Sequence, residues 1–306
     1  MSEWFDTSDP EQRAKGLEAA EAALRRGELV VFPTDTVYGA AADAFDPAAV
    51  AALLEAKGRG RHMPPPVLVG SVRAATALVE DLDESGKDLI EEFWPGGLTL
   101  VCRASPTLVW DLGDTKGTVA VRMPLHPLAL ELLKQTGPLA VSSANLSGHP
   151  AATTARGAQE QLGARVAVYL DGGPCSDVPS TIIDLTGQVP RLLRDGAISV
   201  DRLREVVPVA TEEDDGSGDP QEIFVPEGGA EALEGNTAAE GDAGDAGEGA
   251  AVAEAGAAGE GDVAAEVRES DAPAGGEGQG DGAGENKGSG DRPGESGVSG
   301  QSGALE

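Results

Sequence analysis

The sequence predicts an α/β fold in which helices and strands alternate and the strands run in mixed directions. Two observations support this prediction. Short apolar runs typical of buried strands alternate with segments whose apolar residues recur at helical spacing. Several connections between predicted strands are also too short to hold a crossover helix, which indicates antiparallel pairs beside parallel ones.

The first helix is predicted by Leu17, Ala20 and Leu24, which recur at helical spacing within residues 11–26. The predicted helices that follow it cover residues 46–57, 72–79, 86–93, 126–135 and 200–207. The predicted strands cover residues 29–32, 67–69, 98–102, 118–122, 139–141, 166–170, 181–185 and 192–194. This order favours one α/β sandwich over residues 1–210.

The charge of the chain is concentrated after residue 210. The 306 residues include 53 acidic and 22 basic ones, and the net charge is −31. Residues 211–306 hold 25 of the acidic residues, 3 of the basic residues and 24 of the 43 glycines. Such a segment buries too little apolar surface to offset the entropy of ordering its backbone. We therefore predict one folded domain over 1–210 and a disordered acidic tail over 211–306.

Composition also excludes several classes of protein. An acidic chain does not bind nucleic acid through its overall charge. The two cysteines lack the C-x-x-C spacing of a structural zinc site, and the three histidines are scattered. No apolar run approaches the ~20 residues of a membrane span, and the first ten residues lack the pattern of a signal peptide. These features predict a cytoplasmic protein without membrane contact.

Polar clusters follow several predicted strands, where α/β sheets commonly place ligand sites. The clusters are Thr34-Asp35-Thr36 with Tyr38, Lys57 to Arg61, Arg122, Ser143-Ala144-Asn145 and Ser180-Thr181. Each also has an ordinary structural explanation, because Thr, Asp and Ser form turns and caps and a basic loop complements a helix C-terminus. Their recurrence at strand ends favours a binding site.

The basic loop gives this site a chemical character. Lys57, Arg59 and Arg61 lie within five residues, between glycines that let the backbone approach an anion. The sequence contains no Ser-His-Asp set, dinucleotide fingerprint or Gly-x-x-x-x-Gly-Lys-Ser/Thr phosphate loop. From the residues alone we predict an enzyme that binds an anionic, phosphorylated ligand.

Eight segments carry a closer resemblance. They are Phe32-Pro33-Thr34-Asp35-Thr36-Val37-Tyr38-Gly39, Lys57-Gly58-Arg59, residues 93–100 (FWPGGLTL), residues 119–124 (VAVRMP), residues 143–148 (SANLSG), Asp171-Gly172-Gly173, Ser180-Thr181 and residues 192–196 (LLRDG). In this order they resemble the motifs of the YrdC-type L-threonylcarbamoyl-AMP synthases (L-threonylcarbamoyladenylate synthases). The similarity spans roughly residues 15–207, so the chain resembles the short, single-domain form of the family with an added acidic tail.

The resemblance implies a fold and an activity. The family fold is a twisted α/β structure with helices packed around a concave, positively lined cavity. The activity is that of a nucleotidyltransferase, which condenses L-threonine, bicarbonate or CO2 and ATP to threonylcarbamoyl-AMP and pyrophosphate. The family passes this product to the tRNA threonylcarbamoyl transferase complex, which modifies the adenosine beside the anticodon.

The resemblance also implies roles for individual residues. Lys57 and Arg59 are the candidates for catalysis, because they would stabilise the charge that develops on pyrophosphate. The residues implied to bind ATP are Lys57, Arg59, Ser143, Asn145 and Arg194. The residues implied to bind threonine are Arg122, with Thr34 or Thr36 and Ser180 or Thr181. Mg2+ is expected to arrive with ATP, without direct protein ligands.

Two departures and two alternatives accompany this assignment. Gly60 and Asp195 stand where the family usually has Pro, and we expect both to alter loop geometry. One alternative function is a structured-RNA-binding module of the same fold without synthase activity, and a weak or transient tRNA contact is compatible with either. The other is carbamoyl transfer in hydrogenase maturation, but those proteins carry a cysteine cluster that is absent from this sequence.

Overall fold

The computed structural model describes residues 1–211 and Asp214. The predicted tail otherwise lies outside the described residues, and the division into a domain over 1–210 and a tail over 211–306 stays a prediction. The strands are β1 (Glu3–Asp6), β2 (Leu29–Phe32), β3 (Gly39–Asp43), β4 (Val67–Leu68), β5 (Leu98–Arg103), β6 (Thr118–Arg122), β7 (Leu139–Ser143), β8 (Val166–Asp171), β9 (Thr181–Asp184) and β10 (Arg191–Arg194). The helices are α1 (Pro10–Arg25), α2 (Pro47–Lys57), α3 (Val72–Leu78), α4 (Glu84–Phe93), α5 (Pro127–Thr136), α6 (Ala155–Leu162) and α7 (Val200–Arg204).

The ten strands form one twisted sheet in the order β1-β8-β2-β3-β7-β4-β6-β5-β9-β10. Four neighbouring pairs are parallel, namely β1–β8, β8–β2, β4–β6 and β5–β9. The other five are antiparallel. The prediction of an α/β fold with mixed strand directions is confirmed.

β4 lies near the middle of this sheet and contains only two residues. Val67 and Leu68 pair with β7 on one side and with β6 on the other. We call β1, β8, β2, β3 and β7 the first strand group, and β6, β5, β9 and β10 the second strand group. The two groups therefore meet across a very short strand.

Both faces of the sheet are covered, because alternate side chains of β2 pack into two different apolar cores. Leu29 and Val31 belong to the larger apolar core, whereas Val30 and Phe32 belong to a second core against α1 and α5. All four side chains are buried. This pattern explains why β2 reads as a continuous apolar run in the sequence.

Helix ends follow their capping residues. The carboxylate of Asp9 accepts the main-chain N–H of Gln12, and that of Asp46 accepts the N–H of Ala48. Helix α2 ends at Gly58, whose φ of 69° is left-handed. Within residues 1–211 and Asp214, no helix has both the length and the apolar character to cross a membrane.

The sequence did not predict three elements. Strand β1 contains only two apolar residues and lies at the sheet edge, and β3 is built from Gly and Ala, which have low strand propensity. Small side chains are needed in β3 because a Cβ on Gly39 would lie 2.7 Å from Cγ1 of Val141 in β7. Helix α6 buries mainly alanine, so its apolar periodicity is weak.

Candidate active site

A cavity of about 220 Å³ collects most of the predicted site residues. Eight of the ten predicted residues line it, namely Thr34, Thr36, Arg59, Arg122, Ser143, Asn145, Ser180 and Arg194. They come from the β2–β3 connection, the loop after α2, the ends of β6 and β7, and the strands β9 and β10 with their flanks. The fold therefore brings together residues that lie up to 160 positions apart in the chain.

One end of the cavity is organised by Arg122, which is 5% exposed. Its Nε donates to the carbonyl of Gly96 at 2.9 Å, its Nη1 to Oγ1 of Thr36 at 2.8 Å, and its Nη2 to Oδ1 of Asp35 at 2.7 Å. Burial lowers the pKa of Arg122, and the Asp35 carboxylate opposes that shift. Guanidinium nevertheless stays protonated in proteins, so this end of the cavity holds a buried ion pair.

The Thr34 and Thr36 hydroxyls lie in the same network. Oγ1 of Thr34 donates to the carbonyl of Val37 at 2.7 Å and accepts the main-chain N–H of Thr36 at 3.1 Å. The two threonine oxygens are 3.1 Å apart. This turn chemistry fixes both hydroxyls at the cavity wall.

The opposite side of the cavity is built around Ser180. Nε and Nη2 of Arg194 donate to its carbonyl at 3.0 and 2.6 Å, and Nη2 also donates to its hydroxyl at 3.0 Å. The same hydroxyl lies 2.8 Å from Oγ1 of Thr99. Arg194 is thus anchored beside the start of β9 and lines the cavity wall.

The turn after β7 is held by the side chain of Asn145. Its Nδ2 donates to the carbonyls of Leu146 and His149 at 2.9 and 2.7 Å, and its Oδ1 accepts the hydroxyl of Ser143. This amide therefore shapes the 143–149 turn, which forms one wall of the cavity.

Two predicted residues lie behind the cavity wall. Lys57 is 1% exposed, and its Nζ donates to the carbonyls of Ser143 and Asn145 and, at 3.4 Å, to Oδ1 of Asn145. Thr181 is fully buried, and its Oγ1 donates to the carbonyl of Ile198 at 2.7 Å and accepts the Ile198 N–H at 2.9 Å. Their predicted substrate contacts stay predictions, because neither side chain belongs to the cavity lining.

The two arginines of the basic loop point to different places. Arg59 lines the cavity, and its main-chain N–H is fixed by the carbonyl of Leu54 at 2.8 Å. Arg61 instead forms a two-pronged ion pair with Asp111 at 3.0 and 2.8 Å. The carbonyl of Arg61 also accepts the N–H of Asp114 at 2.8 Å. Arg61 therefore anchors the loop that carries Arg59.

Sequence reasoning missed Thr99 and His149 as lining residues. The sequence does carry a signal for Thr99, because it is the only polar residue among residues 98–102 and its neighbours Leu98 and Leu100 face the core. Tyr38, noted beside the threonine cluster, ties that cluster to the turn after β8. Its hydroxyl donates to the carbonyl of Gly173 at 2.6 Å, and burial raises its pKa.

The cavity lining offers no ligand set for a divalent cation. Its described residues include hydroxyls, an amide, a histidine and three arginines, but no carboxylate. Among residues 1–211 and Asp214, no group of three His, Cys, Asp or Glu side chains could hold a metal ion. The donor chemistry of the lining suits an anion instead.

Residues 22–196 match the model of the Sua5/YciO/YrdC family, which is described as "Telomere recombination". This match covers more than half of the chain. The chain belongs to the Sua5/YciO/YrdC family. The resemblance to YrdC-type proteins drawn from the eight segments is confirmed.

Relatives within the Sua5/YciO/YrdC family extend this finding. A protein from Mycobacterium tuberculosis (strain ATCC 25618 / H37Rv), provisionally named threonylcarbamoyl-AMP synthase, is 57% identical over 68% of this chain and 97% of its own length. The threonylcarbamoyl-AMP synthase of Bacillus subtilis is 39% identical over 68% of this chain and 59% of its own length. The crystal structure of Pyrococcus abyssi Sua5 complexed with L-threonine has a TM-score of 0.60 and 38% identity, over 63% of this chain and 58% of that one.

Proposed function

We propose that this protein is a threonylcarbamoyl-AMP synthase that acts as a nucleotidyltransferase on ATP. The observation that carries the proposal is the 57% identity to a relative of that name along 97% of the relative's length. The site agrees with it, because a cavity lined by three arginines and several hydroxyls suits two anionic substrates. The named relatives favour the synthase over the structured-RNA-binding alternative.

The proposed reaction has two steps. The amine nitrogen of threonine bonds to the carbon of CO2, which bicarbonate supplies, and the amine loses a proton to solvent to give a carbamate. A carbamate oxygen then attacks the α-phosphorus of ATP, the bond from that phosphorus to the β-phosphate oxygen breaks, and pyrophosphate leaves. Both steps gather negative charge in one place, so the site must stabilise anions.

The phosphate end of the cavity is assigned to Arg59 and Arg194. Arg59 lies on the loop after α2 and would contact the triphosphate. Arg194 is fixed by its bonds to Ser180 and would contact the nucleotide from the other side of the cavity. Mg2+ would enter bound to the phosphates of ATP, since the lining supplies no carboxylate for it.

The threonine end is assigned to Arg122 with Thr34, Thr36 and Ser180. Arg122 would bind the substrate carboxylate, and the hydroxyls would bind its remaining polar groups. Ser143 and Asn145, on the turn after β7, would contact the nucleotide or the carbamate. No general base is assigned, because holding three reactants in register itself supplies several kcal/mol of rate acceleration.

The product is proposed to pass to a tRNA threonylcarbamoyl transferase complex. The excess of 28 acidic over 19 basic residues in 1–210 argues for at most a weak or transient contact with tRNA. A cytoplasmic location stays a prediction.

The decisive assay incubates the full chain with ATP, bicarbonate and labelled threonine, and separates the products. We expect threonylcarbamoyl-AMP and pyrophosphate in equal amounts. Formation of AMP that is indifferent to threonine would overturn the proposal. Salt-sensitive micromolar binding of tRNA without threonine-dependent turnover would favour the RNA-binding alternative.

Variants test the phosphate end in the same assay. Arg59→Ala and Arg194→Ala are expected to lower threonine-dependent pyrophosphate release at least 100-fold, because each removes a cation that would stabilise the negative charge developing on pyrophosphate. Arg73→Ala is the matched control, since Arg73 is an exposed residue of α3. Near wild-type release by Arg59→Ala would refute the assignment of that end.

A further inference from the structure

We infer that Asp35 is a positioning and specificity-determining residue, which orients Arg122 and balances its charge so that the threonine end accepts a carboxylate and rejects phosphate. This inference rests on the proposed function. Asp35 itself is absent from the cavity lining, and its side chain is 16% exposed. It therefore acts through Arg122 instead of touching substrate.

The first part of the inference is orientation. Oδ1 of Asp35 accepts Nη2 of Arg122 at 2.7 Å and the main-chain N–H of Leu125 at 2.9 Å. With Gly96 on Nε and Thr36 on Nη1, each nitrogen of the guanidinium has one protein partner. A planar group held at three nitrogens cannot rotate, and one N–H on each terminal nitrogen is left for a substrate carboxylate.

The second part concerns the Thr36 hydroxyl. Because Nη1 of Arg122 donates to Oγ1 of Thr36, that oxygen acts as an acceptor toward the arginine and its own proton is directed elsewhere. The Thr34 hydroxyl gives its proton to Val37, so it can accept from Thr36. The orientation of Arg122 thus sets the direction of the whole hydroxyl chain.

The third part is charge. Arg122 is 5% exposed and shares its site with the Asp35 carboxylate, so the pair is close to neutral. Arg59 and Arg194 line the same cavity, and the ATP phosphates carry several negative charges. An uncompensated Arg122 would attract those phosphates as strongly as it attracts a carboxylate. Asp35 therefore separates the two anionic ligands by repelling the more highly charged one.

Two substitutions separate charge from orientation. Asp35→Asn keeps the shape and an acceptor oxygen for Arg122 but removes the charge. Asp35→Ala removes both, and its fold is checked by its melting temperature. Asp88→Asn is the matched control, since Asp88 lies exposed on α4.

The measured quantity is the inhibition pattern of inorganic phosphate in threonine-dependent pyrophosphate release. For the wild type and Asp88→Asn we expect phosphate to compete with ATP and to leave the KM for threonine unchanged. For Asp35→Asn we expect phosphate at millimolar concentration to raise the KM for threonine at least fivefold. For folded Asp35→Ala we expect kcat to fall at least tenfold, because Arg122 and Thr36 lose their fixed positions.

Isothermal titration calorimetry of threonine binding, with and without phosphate, gives a readout that does not depend on turnover. If phosphate weakens threonine binding to Asp35→Asn but not to the wild type, the inference holds even where the wild type makes no threonylcarbamoyl-AMP and the proposed function fails. Identical threonine binding and phosphate inhibition in the wild type and Asp35→Asn would overturn the inference, whatever the wild type makes.

Discussion

The ammonium group of Lys57 lies against main-chain oxygens, whereas Arg59, two residues later, lies on the cavity wall. Both residues carry the same charge, and the sequence predicts the same role for them. They differ because α2 ends at Lys57, whose side chain the helix buries, while Gly58 turns the chain outward before Arg59. The bonds of Lys57 to Ser143 and Asn145 make it a support for the turn after β7.

This placement predicts a broad effect of Lys57→Met. Removing the ammonium leaves buried carbonyl oxygens without their donor, so we expect the free energy of unfolding to fall by about 2 kcal/mol, measured by urea denaturation. The affinities for ATP and threonine should weaken together, because the turn between them loses its support. Lys134→Met, on the exposed face of α5, is the control. A variant that lost only ATP affinity at full stability would show that Lys57 acts on the phosphates.

Burial also gives one cysteine a pH effect that can be measured. Burial raises the pKa of the Cys102 thiol from 9.0 to about 12, chiefly through loss of solvation. Above pH 9 the unfolded chain releases this proton while the folded chain retains it, so stability must fall as pH rises from 9 to 12. We expect a loss of up to about 1.4 kcal/mol per pH unit from this thiol.

The test compares chemical denaturation of the wild type and Cys102→Ala between pH 8 and pH 11. The wild type should lose more stability over this interval than the variant, because only the wild type carries the thiol. Parallel pH profiles would show that Cys102 ionises alike in both states.

Among the elements, the loop after α2 shows how a distant segment fixes a site residue. Residues 58–64 contain two glycines, and the first of them, Gly58, has a left-handed φ, so the main chain alone constrains this loop weakly. The ion pair of Arg61 with Asp111 and the bond from Asp114 to the Arg61 carbonyl hold this loop against the β5–β6 connection. This is where the family usually places Pro instead of Gly60.

A charge swap tests this tether. Asp111→Arg is expected to raise the KM for ATP about threefold, because like charges push the loop away from its support. The double variant Arg61→Asp/Asp111→Arg should recover most of the loss, measured in the pyrophosphate assay. High salt should also raise the KM of the wild type for ATP, since the ion pair between Arg61 and Asp111 is exposed. A double variant no better than Asp111→Arg would contradict the tether.

The elements also show how far the sequence alone carries a prediction. Helices α1 and α2 were placed within a residue or two, because capping aspartates, prolines and a C-terminal glycine mark their ends. Strand β3 was missed because its alanines and glycine are strand-forming only between β2 and β7. That dependence on neighbours cannot be read from local composition.

The candidate site also has features that the sequence predicts and features that it does not. The polar character of Thr36 and Arg122 at strand boundaries indicates a binding site, whereas the role of Arg194 is implied by the family resemblance. The structure places all three at one cavity, and their ligand contacts stay predictions. Their partners were not predictable, because the contact of Arg122 with Asp35 depends on a sheet order that places β6 near the β2–β3 connection. Burial of Lys57 likewise depends on the turn that packs over it.

At the scale of the whole molecule, the acidic composition of residues 211–306 contrasts with the packed end of the domain. Ala210 bonds to the chain at Pro190 and Leu192, and Asp214 accepts from Arg204 and Thr211. Contacts with the domain therefore continue to Asp214, the last described residue, and the division at residue 210 stays a prediction.

Truncation tests this division. A chain ending at Asp214 should keep the melting temperature and the synthase rate of the full protein, because it retains every described contact of the C-terminal segment. A chain ending at Glu205 should melt at a lower temperature, since it lacks the buried Val207 and Val209. Differential scanning calorimetry and the pyrophosphate assay provide the measurements. A large loss of rate on cutting after Asp214 would assign a catalytic contribution to the tail.

Within the sheet, the first and second strand groups are joined through the two-residue strand β4. Thr36, in the β2–β3 connection, and Ser143, in β7, belong to the first strand group and its connections. Arg122, in β6, and Ser180, just before β9, belong to the second strand group and its connections. Substrates that contact all four residues, as proposed, would link the two strand groups across β4. A ligand that binds only the folded state adds to the stability of that state. Under the proposed contacts, the two strand groups would be held together more strongly while substrates are bound than after product leaves.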